Sequence, residues 1–145
     1  IMSLRDGTKK MSKSELSDQS RINLTDDKDQ IINKIKKAKT DTSPLPSTIA
    51  DLEKRPEAKN LMGIYSSLLD TNLEDTINKF SGKNFSEFKE NLSQVMVDKI
   101  SPISSEINKL LSDKKYLDKI LLEGSKKADK IASDKVKKIQ ELVGF

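Results

Sequence analysis

The stretch "DKDQIINKIKKAK", residues 27–39, decides the fold class. Ile31, Ile32, Ile35 and Ala38 recur at the three- and four-residue spacing that lines up one face of an α-helix. Acidic residues open the stretch and lysines close it, the order that a helix dipole favours. The spacing predicts a helix over 27–39.

Downstream the same period returns. "TDTSPLPST", residues 40–48, interrupts it, because Pro44 and Pro46 prevent helix; it reads as a linker or extended loop. Pro56 is a good first residue for a second helix, whose buried face is Leu61, Met62, Ile64, Tyr65, Leu68 and Leu69. Asn72 is placed to cap a short third helix, with Gly82 just past its end. A fourth pattern begins near Ser86, with Phe85, Phe88, Leu92, Val95, Met96 and Ile100 facing inward. Pro102 lies inside that period and predicts a kink or break near Ser101, beyond which Ile103, Ile107, Leu110 and Leu111 continue the stripe. Asp113 caps a fifth helix carrying Tyr116, Leu117, Ile120 and Leu121, closed by Gly124. A last helix, Ser125 to Val143, puts Ala128, Ile131, Ala132, Val136, Ile139 and Val143 on one face. The fold class is all-α, a bundle of five or six helices. Its Phe, Met and Tyr residues read as core.

Upstream of residue 27 no period is visible. "IMSL", residues 1–4, resembles the end of a strand with no partner strand in this sequence. Residues 5–25 read as a polar, mobile loop. It carries "TKKMSKS", three lysines and two serines within residues 8–14.

Composition narrows the function classes. Hydrophobic and charged residues each make up 34% of the chain, a lean core under a wet surface. Aromatics are 4%, too few for the stacking platforms of single-strand binders. There is no cysteine and no histidine, so disulfides, thiolate metal sites and histidine-based hydrolytic chemistry are excluded, and no metal site is expected. The net charge of +4 is unevenly spread. Residues 1–43 carry ten Lys/Arg against seven Asp/Glu, residues 44–112 eight against ten, and residues 113–145 nine against six. Cationic ends permit a polyanionic partner or simply solvated faces. No apolar run reaches the roughly 18–20 residues of a membrane span, and no signal peptide is visible, so the expected location is cytoplasmic.

"KMSKS", Lys10 to Ser14, has the chemistry for phosphates. Two flexible ammonium groups three residues apart, with hydroxyls between and after, suit a triphosphate whose charge moves onto a leaving pyrophosphate. A loop that closes only in the transition state spends its binding energy on rate. On these five residues alone, a solvated basic loop explains the run as well.

The surrounding blocks carry a resemblance. "IMSLRDGTKKMSKS", "SDQSRINLTDDKDQIINKIKKAKTD", "RPEAKNLMGIYSSL", "FSGKNFSEFKENL", "SPISSEINKLL", "YLDKILLEGSKKADKIA" and "LVGF" resemble, in order, the C-terminal part of bacterial and organellar tryptophanyl-tRNA synthetases, class I enzymes. The resemblance implies ATP-dependent activation of L-tryptophan to the adenylate and its transfer to tRNA(Trp), with Mg2+ accompanying ATP. Lys10 and Lys13 would neutralise the phosphates, Ser12 and Ser14 would bond them or brace the loop, and Met11 and Ile1 would contact adenine through the backbone. Residues 1–25 would end a Rossmann-like catalytic domain and residues 26–145 would form the helical region, including the anticodon-binding bundle. Lys83 and Lys89 are candidates for tRNA contact, with solvated surface as the competing reading. The full enzyme would be a homodimer.

The chain starts at Ile1 and has no histidine, so the family's HIGH-type motif is not in it. The resemblance implies a C-terminal portion, inactive alone. Gly7 stands where the family has proline and is expected to loosen the approach to the loop; Glu15 stands where aspartate is usual. The alternatives are a free-standing basic helical nucleic-acid-binding module and a helical adaptor.

Overall fold

The computed structural model describes residues 1–144; Phe145, which ends the "LVGF" block, lies outside the described residues. Its regular elements are helical throughout: α1 (Lys28–Lys36), α2 (Ile49–Glu53), α3 (Pro56–Leu69), α4 (Leu73–Phe80), α5 (Phe85–Ser112) and α6 (Lys114–Val143), preceded by one 3-10 turn at Asp18–Ser20. The chain forms two compact units, Ile1–Ser105 and Glu106–Phe145.

The first unit holds the core. α1 starts where a capping box closes it: the Asp27 carboxylate accepts the Gln30 N–H and the Gln30 side chain accepts the Asp27 N–H, both at 2.8 Å. It ends at Lys36, one turn before the sequence period does. Ile31, Ile35 and Ala38 are buried as the period requires. α2 lies in a stretch with no sequence period; Thr48 caps it and it buries Leu52. The proline-bearing loop ahead of it is fastened by Arg55, whose guanidinium binds both Asp41 oxygens (2.6 and 3.0 Å) and the Pro44 carbonyl (2.6 Å). Asn72 caps α4 through the Asp75 N–H at 2.7 Å, and Gly82 beyond it has φ +72°, where a side chain is strained.

Tyr65, Phe80 and Phe88 form the aromatic centre. The rings of Phe80 meet those of Tyr65 and Phe88 edge to face, with centroids 5.1 and 4.9 Å apart. Lys79 closes this cluster by donating to the Tyr65 hydroxyl at 2.7 Å.

Two breakers in the sequence do not break. α5 runs through Pro102 without interruption to Ser112. A proline removes one main-chain donor, so the Asp98 carbonyl loses its helical partner, and the main-chain bonds on either side carry the helix through. Gly124 sits inside α6, with no positive φ, so residues 114–143 are one helix and not two. A mid-helix glycine costs only about 0.5–1 kcal/mol, too little to stop a long helix.

The second unit differs from the first in burial. Asp113 caps α6 through the Tyr116 N–H at 3.0 Å, as the sequence predicts. None of its residues is buried, and Tyr116, Ile131, Val136 and Ile139 of the expected inward face are about half exposed or more. On α5, Ile103 and Leu111 are also exposed, so its buried stripe stops near Ile100.

Gly7 shows a close approach. It is buried, and a Cβ there would lie 2.5 Å from the Pro56 carbonyl carbon and 2.6 Å from the Glu57 nitrogen, both main-chain atoms. The residue that reads as a loosening hinge is therefore packed on the start of α3. Gly7→Ala forces the backbone apart and is expected to destabilise the unit by about 1–3 kcal/mol, the usual range for overpacking, read as a lower thermal midpoint. An unchanged midpoint would show that the chain and α3 are not in contact.

Candidate functional site

"IMSL" finds its partners locally. Met2 makes an antiparallel bridge with Lys10, the Ser3 N–H donates to the Lys9 carbonyl at 2.8 Å, and the Met11 N–H donates to the Ile1 carbonyl at 3.3 Å. The apparent lone strand end is one arm of a tight loop whose other arm is Lys9–Met11. Its turn is fixed by Asp6, which accepts the Thr8 hydroxyl at 2.6 Å and the Thr8 N–H at 3.1 Å. The Thr8 hydroxyl above all holds the Asp6 carboxyl below the usual range.

The outer edge of this arm is paired by a side chain. Asn60 of α3 accepts the Met2 N–H at 2.8 Å and donates to the Met2 carbonyl at 2.9 Å, copying with an amide what a neighbouring strand would supply. Leu4, buried in the core, donates to the Ser20 carbonyl at 2.8 Å and accepts the Lys39 N–H at 2.7 Å. Lys39 in turn pairs with Glu57 at 2.9 Å; that lysine, then the Glu57 and Gly7 main-chain N–H groups, lower the Glu57 carboxyl despite some burial. The loop is thus sewn to α1 and α3 on the side that enters it.

The exit side rests on a buried ammonium. Lys34 lies in the apolar stripe of α1, its side chain 3% exposed, and contacts Asp26 and Asp18 at 2.6 Å each. Asp26 is also buried and accepts the Asn23 N–H at 2.9 Å. Asp18 is more open; the Lys34 hydrogen bond is the main cause that lowers its carboxyl from 3.8. A carboxyl lowered in the folded state adds stability above its unfolded pKa, and that contribution is lost as pH falls through the folded value.

Between these two supports the lysine loop is open. Ser12 and Ser14 share a hydroxyl–hydroxyl bond of 2.9 Å, and the Ser14 N–H donates to Ser12 Oγ at 3.3 Å. Met11 is partly buried against the core. Lys9 pairs with Asp6 at 3.4 Å, whereas Lys10 and Lys13 are exposed and have no side-chain partner among the described residues. A cleft of about 240 Å³ beside the loop is lined by the cationic Arg5, Lys9 and Lys10, by the acidic Asp6 and Glu15, and by serines that include Ser3 and Ser12. Lys10 and Ser12 therefore share a concavity; Lys13 and Ser14 stand outside it, and Ile1 and Met11 meet through one backbone bond. Chemically, the arrangement offers an arriving anion two free ammonium groups and several hydroxyls on a short turn with fixed ends.

Lys83 and Lys89 lie elsewhere, both lining a groove of about 990 Å³ between the residue 40–44 loop and the start of α5. Lys83 pairs with Glu87 at 2.7 Å. Lys89 is half-buried and donates to the Lys36 and Ala38 carbonyls at 3.2 and 2.6 Å, finishing the C-terminal end of α1; burial lowers its pKa. Asn60 and Lys34 escape a reading by motif. Their available signal was a polar residue inside an apolar stripe: Lys34 falls between Ile31 and Ala38 at helical spacing, and Asn60 falls one turn before Ile64.

Among the described residues no helix is long and apolar enough to cross a membrane, and no group of three or more Asp or Glu residues is arranged to hold a metal ion.

The tryptophan–tRNA ligase of Brucella suis biovar 1 is 49% identical over all 145 residues, and that of Rickettsia felis 50%. The chain spans 41% and 43% of the length of these relatives. The crystal structure of tryptophanyl-tRNA synthetase from Mycoplasma pneumoniae matches the fold with a TM-score of 0.69 at 24% identity, over 100% of this chain and 45% of that one. The family model for class I tRNA synthetases (W and Y) matches residues 1–101, a span that contains the whole lysine loop and both of its supports. The chain belongs to the class I tRNA synthetases of the W and Y family.

Proposed function

We propose that this chain supplies the phosphate-handling loop and the tRNA-binding helical region of a tryptophan–tRNA ligase. In that reading residues 1–25 complete a catalytic domain, and residues 26–145 form the helical region. The carboxylate of L-tryptophan attacks the α-phosphorus of ATP, the adenylate forms and pyrophosphate leaves; the aminoacyl group then passes to tRNA(Trp). Lys10 and Lys13 carry the charge that gathers on the departing pyrophosphate, Ser12 and Ser14 bond its oxygens, and main-chain groups of Met11 and Ile1 face adenine. A magnesium ion arrives with ATP. The enzyme acts as a cytoplasmic homodimer, and the chain alone does not activate tryptophan, since no histidine is present to form the HIGH-type motif.

The observation that carries this reading is the pair of unpartnered lysines on a turn held at both ends. A loop built only for the surface needs neither the Asn60 clasp nor the buried Lys34. Transition-state stabilisation needs both: charges that are free, on a frame that returns them to one place.

A gel-shift panel tests the part of this function that the chain performs itself. The expected result is tighter binding of tRNA(Trp) than of unrelated tRNAs, weakening steeply with salt. Equal affinity for every tRNA would point instead to a general nucleic-acid module, and absence of binding to an adaptor.

A further inference from the structure

The exit side of the lysine loop converges on one guanidinium. Arg21 Nη1 donates to the Glu15 carbonyl at 2.9 Å, Nη2 contacts Asp18 at 3.1 Å and Nε donates to Asn23 at 3.2 Å. Asp18 is held from its other oxygen by the buried Lys34, and Lys34 is held by the buried Asp26. Asn23 reaches both carboxylates, donating its amide to Asp18 at 2.9 Å and to Asp26 at 3.2 Å. The side chain of Arg21 is 18% exposed, so little water competes for these bonds. The chain is thus secured at Met11 by the Ile1 carbonyl and at Glu15 by Arg21, and only Ser12, Lys13 and Ser14 lie between.

We propose that Arg21, braced by Asp18 and Lys34, is a positioning residue that fixes the exit of the lysine loop and so sets the reach of the Lys13 ammonium. A planar fork with fixed donor directions can hold a carbonyl, a carboxylate and an amide together; a lysine in its place holds one or two of them. Arg21 touches no reacting atom. Its action passes through the Glu15 carbonyl to the residue two positions before it. The consequence for phosphate binding rests on the function proposed above; the consequence for loop order does not.

The test uses the 145-residue chain, labelled with 15N, as wild type, Arg21→Gln, Arg21→Lys and Asp18→Asn. In the wild type the Glu15 amide is expected to be as ordered as those of α3, with motion confined to Ser12–Ser14. In Arg21→Gln the backbone order parameter is expected to fall below about 0.6 from Ser12 through Ser17 while α3 is unchanged. Arg21→Lys restores part of that order. Asp18→Asn, which keeps the Glu15 bond but removes the charge that holds the fork, loosens the same residues to a smaller degree and serves if Arg21→Gln fails to fold. A general loss of stability would lower the thermal midpoint without moving the loop selectively. Titration with inorganic pyrophosphate and magnesium is expected to show binding weakened on the order of tenfold in Arg21→Gln, because displaced cations stabilise poorly. Unchanged order at Glu15 in Arg21→Gln, or a loosened loop that binds pyrophosphate as well as wild type, overturns the proposal. A wild type that ignores pyrophosphate while Arg21→Gln loosens the loop overturns the phosphate function and leaves Arg21 as the anchor.

Discussion

Lys34→Met is expected to lower the folding stability of the first unit by about 3–5 kcal/mol, because it leaves the buried Asp26 carboxylate without its counter-charge. A methionine fills much of the space of the lysine stem, so little of the loss comes from a cavity. Asn23 alone remains to satisfy Asp26, through its main-chain N–H and its side-chain amide. Two results separate this cause from a general packing defect. First, Lys34→Met combined with Asp26→Leu is expected to recover most of the loss, since a buried ion pair replaced by apolar groups is often neutral or better. Second, the deficit is expected to narrow as pH falls. An unpaired buried carboxyl has a raised pKa in the folded state, the folded state then binds a proton that the unfolded state releases, and stability rises with acidity. Urea midpoints at two pH values measure both. A deficit under about 1 kcal/mol, equal at both pH values, would mean that Lys34 is not the counter-charge of Asp26.

Lys13→Ala carries the largest expected effect on activity. In the assembled enzyme the loss of one pre-placed cation from a developing charge typically costs about 2.7–4 kcal/mol, or roughly 10²–10³ in rate. Lys13 makes no contact that supports the fold, so its substitution is expected to leave stability within about 0.5 kcal/mol of wild type. The signature is therefore a fall in kcat for adenylate formation, with an unchanged KM for tryptophan and an unchanged thermal midpoint. Lys10→Ala is expected to follow the same pattern less strongly, because Arg5 and Lys9 share its cleft. Equal activity of Lys13→Ala and wild type would remove the loop from the chemistry.

Much of the fold was legible because helices announce themselves locally. The caps at Asn72 and Asp113, the acidic start of α1 and the stripes of α1, α3 and the first part of α5 all rest on residues within a few positions of one another. Gly124 misled and Pro102 did not end its helix, for the same reason. Their local penalties, about 1 kcal/mol for the glycine and about 3 kcal/mol for the proline, are outweighed by the continuous main-chain bonding on either side of them, and the helices run through. The apolar period of α6 was legible too, but a period states only which residues share a face; in this helix that face is exposed.

The candidate site divides along a similar line. Lysines and serines at short spacing, a set that suits a phosphate as well as a solvated surface, are visible without any knowledge of the fold. What holds them does not. The amide of Asn60 clasps a backbone 58 residues away, and Gly7 meets Pro56 across a comparable separation. Neither contact leaves a pattern in the residues next to it. Lys34 is intermediate: a charge set into an apolar stripe, eight residues after an aspartate, is a visible anomaly, though its partners become known only once the chain turns back on itself. Lys89 reads as a surface cation until α1 ends against it and its ammonium completes the helix.

Tryptophan-dependent exchange of pyrophosphate into ATP tests the account most directly. The chain is joined to the remaining, N-terminal portion of a tryptophan–tRNA ligase that it resembles, in place of the matching segment, and the hybrid is assayed with this chain's Lys13 intact or replaced by alanine. The account predicts exchange by the hybrid, absent from either part alone, and reduced roughly 10²–10³-fold by Lys13→Ala. Exchange that proceeds at the same rate without the Lys13 ammonium would contradict it.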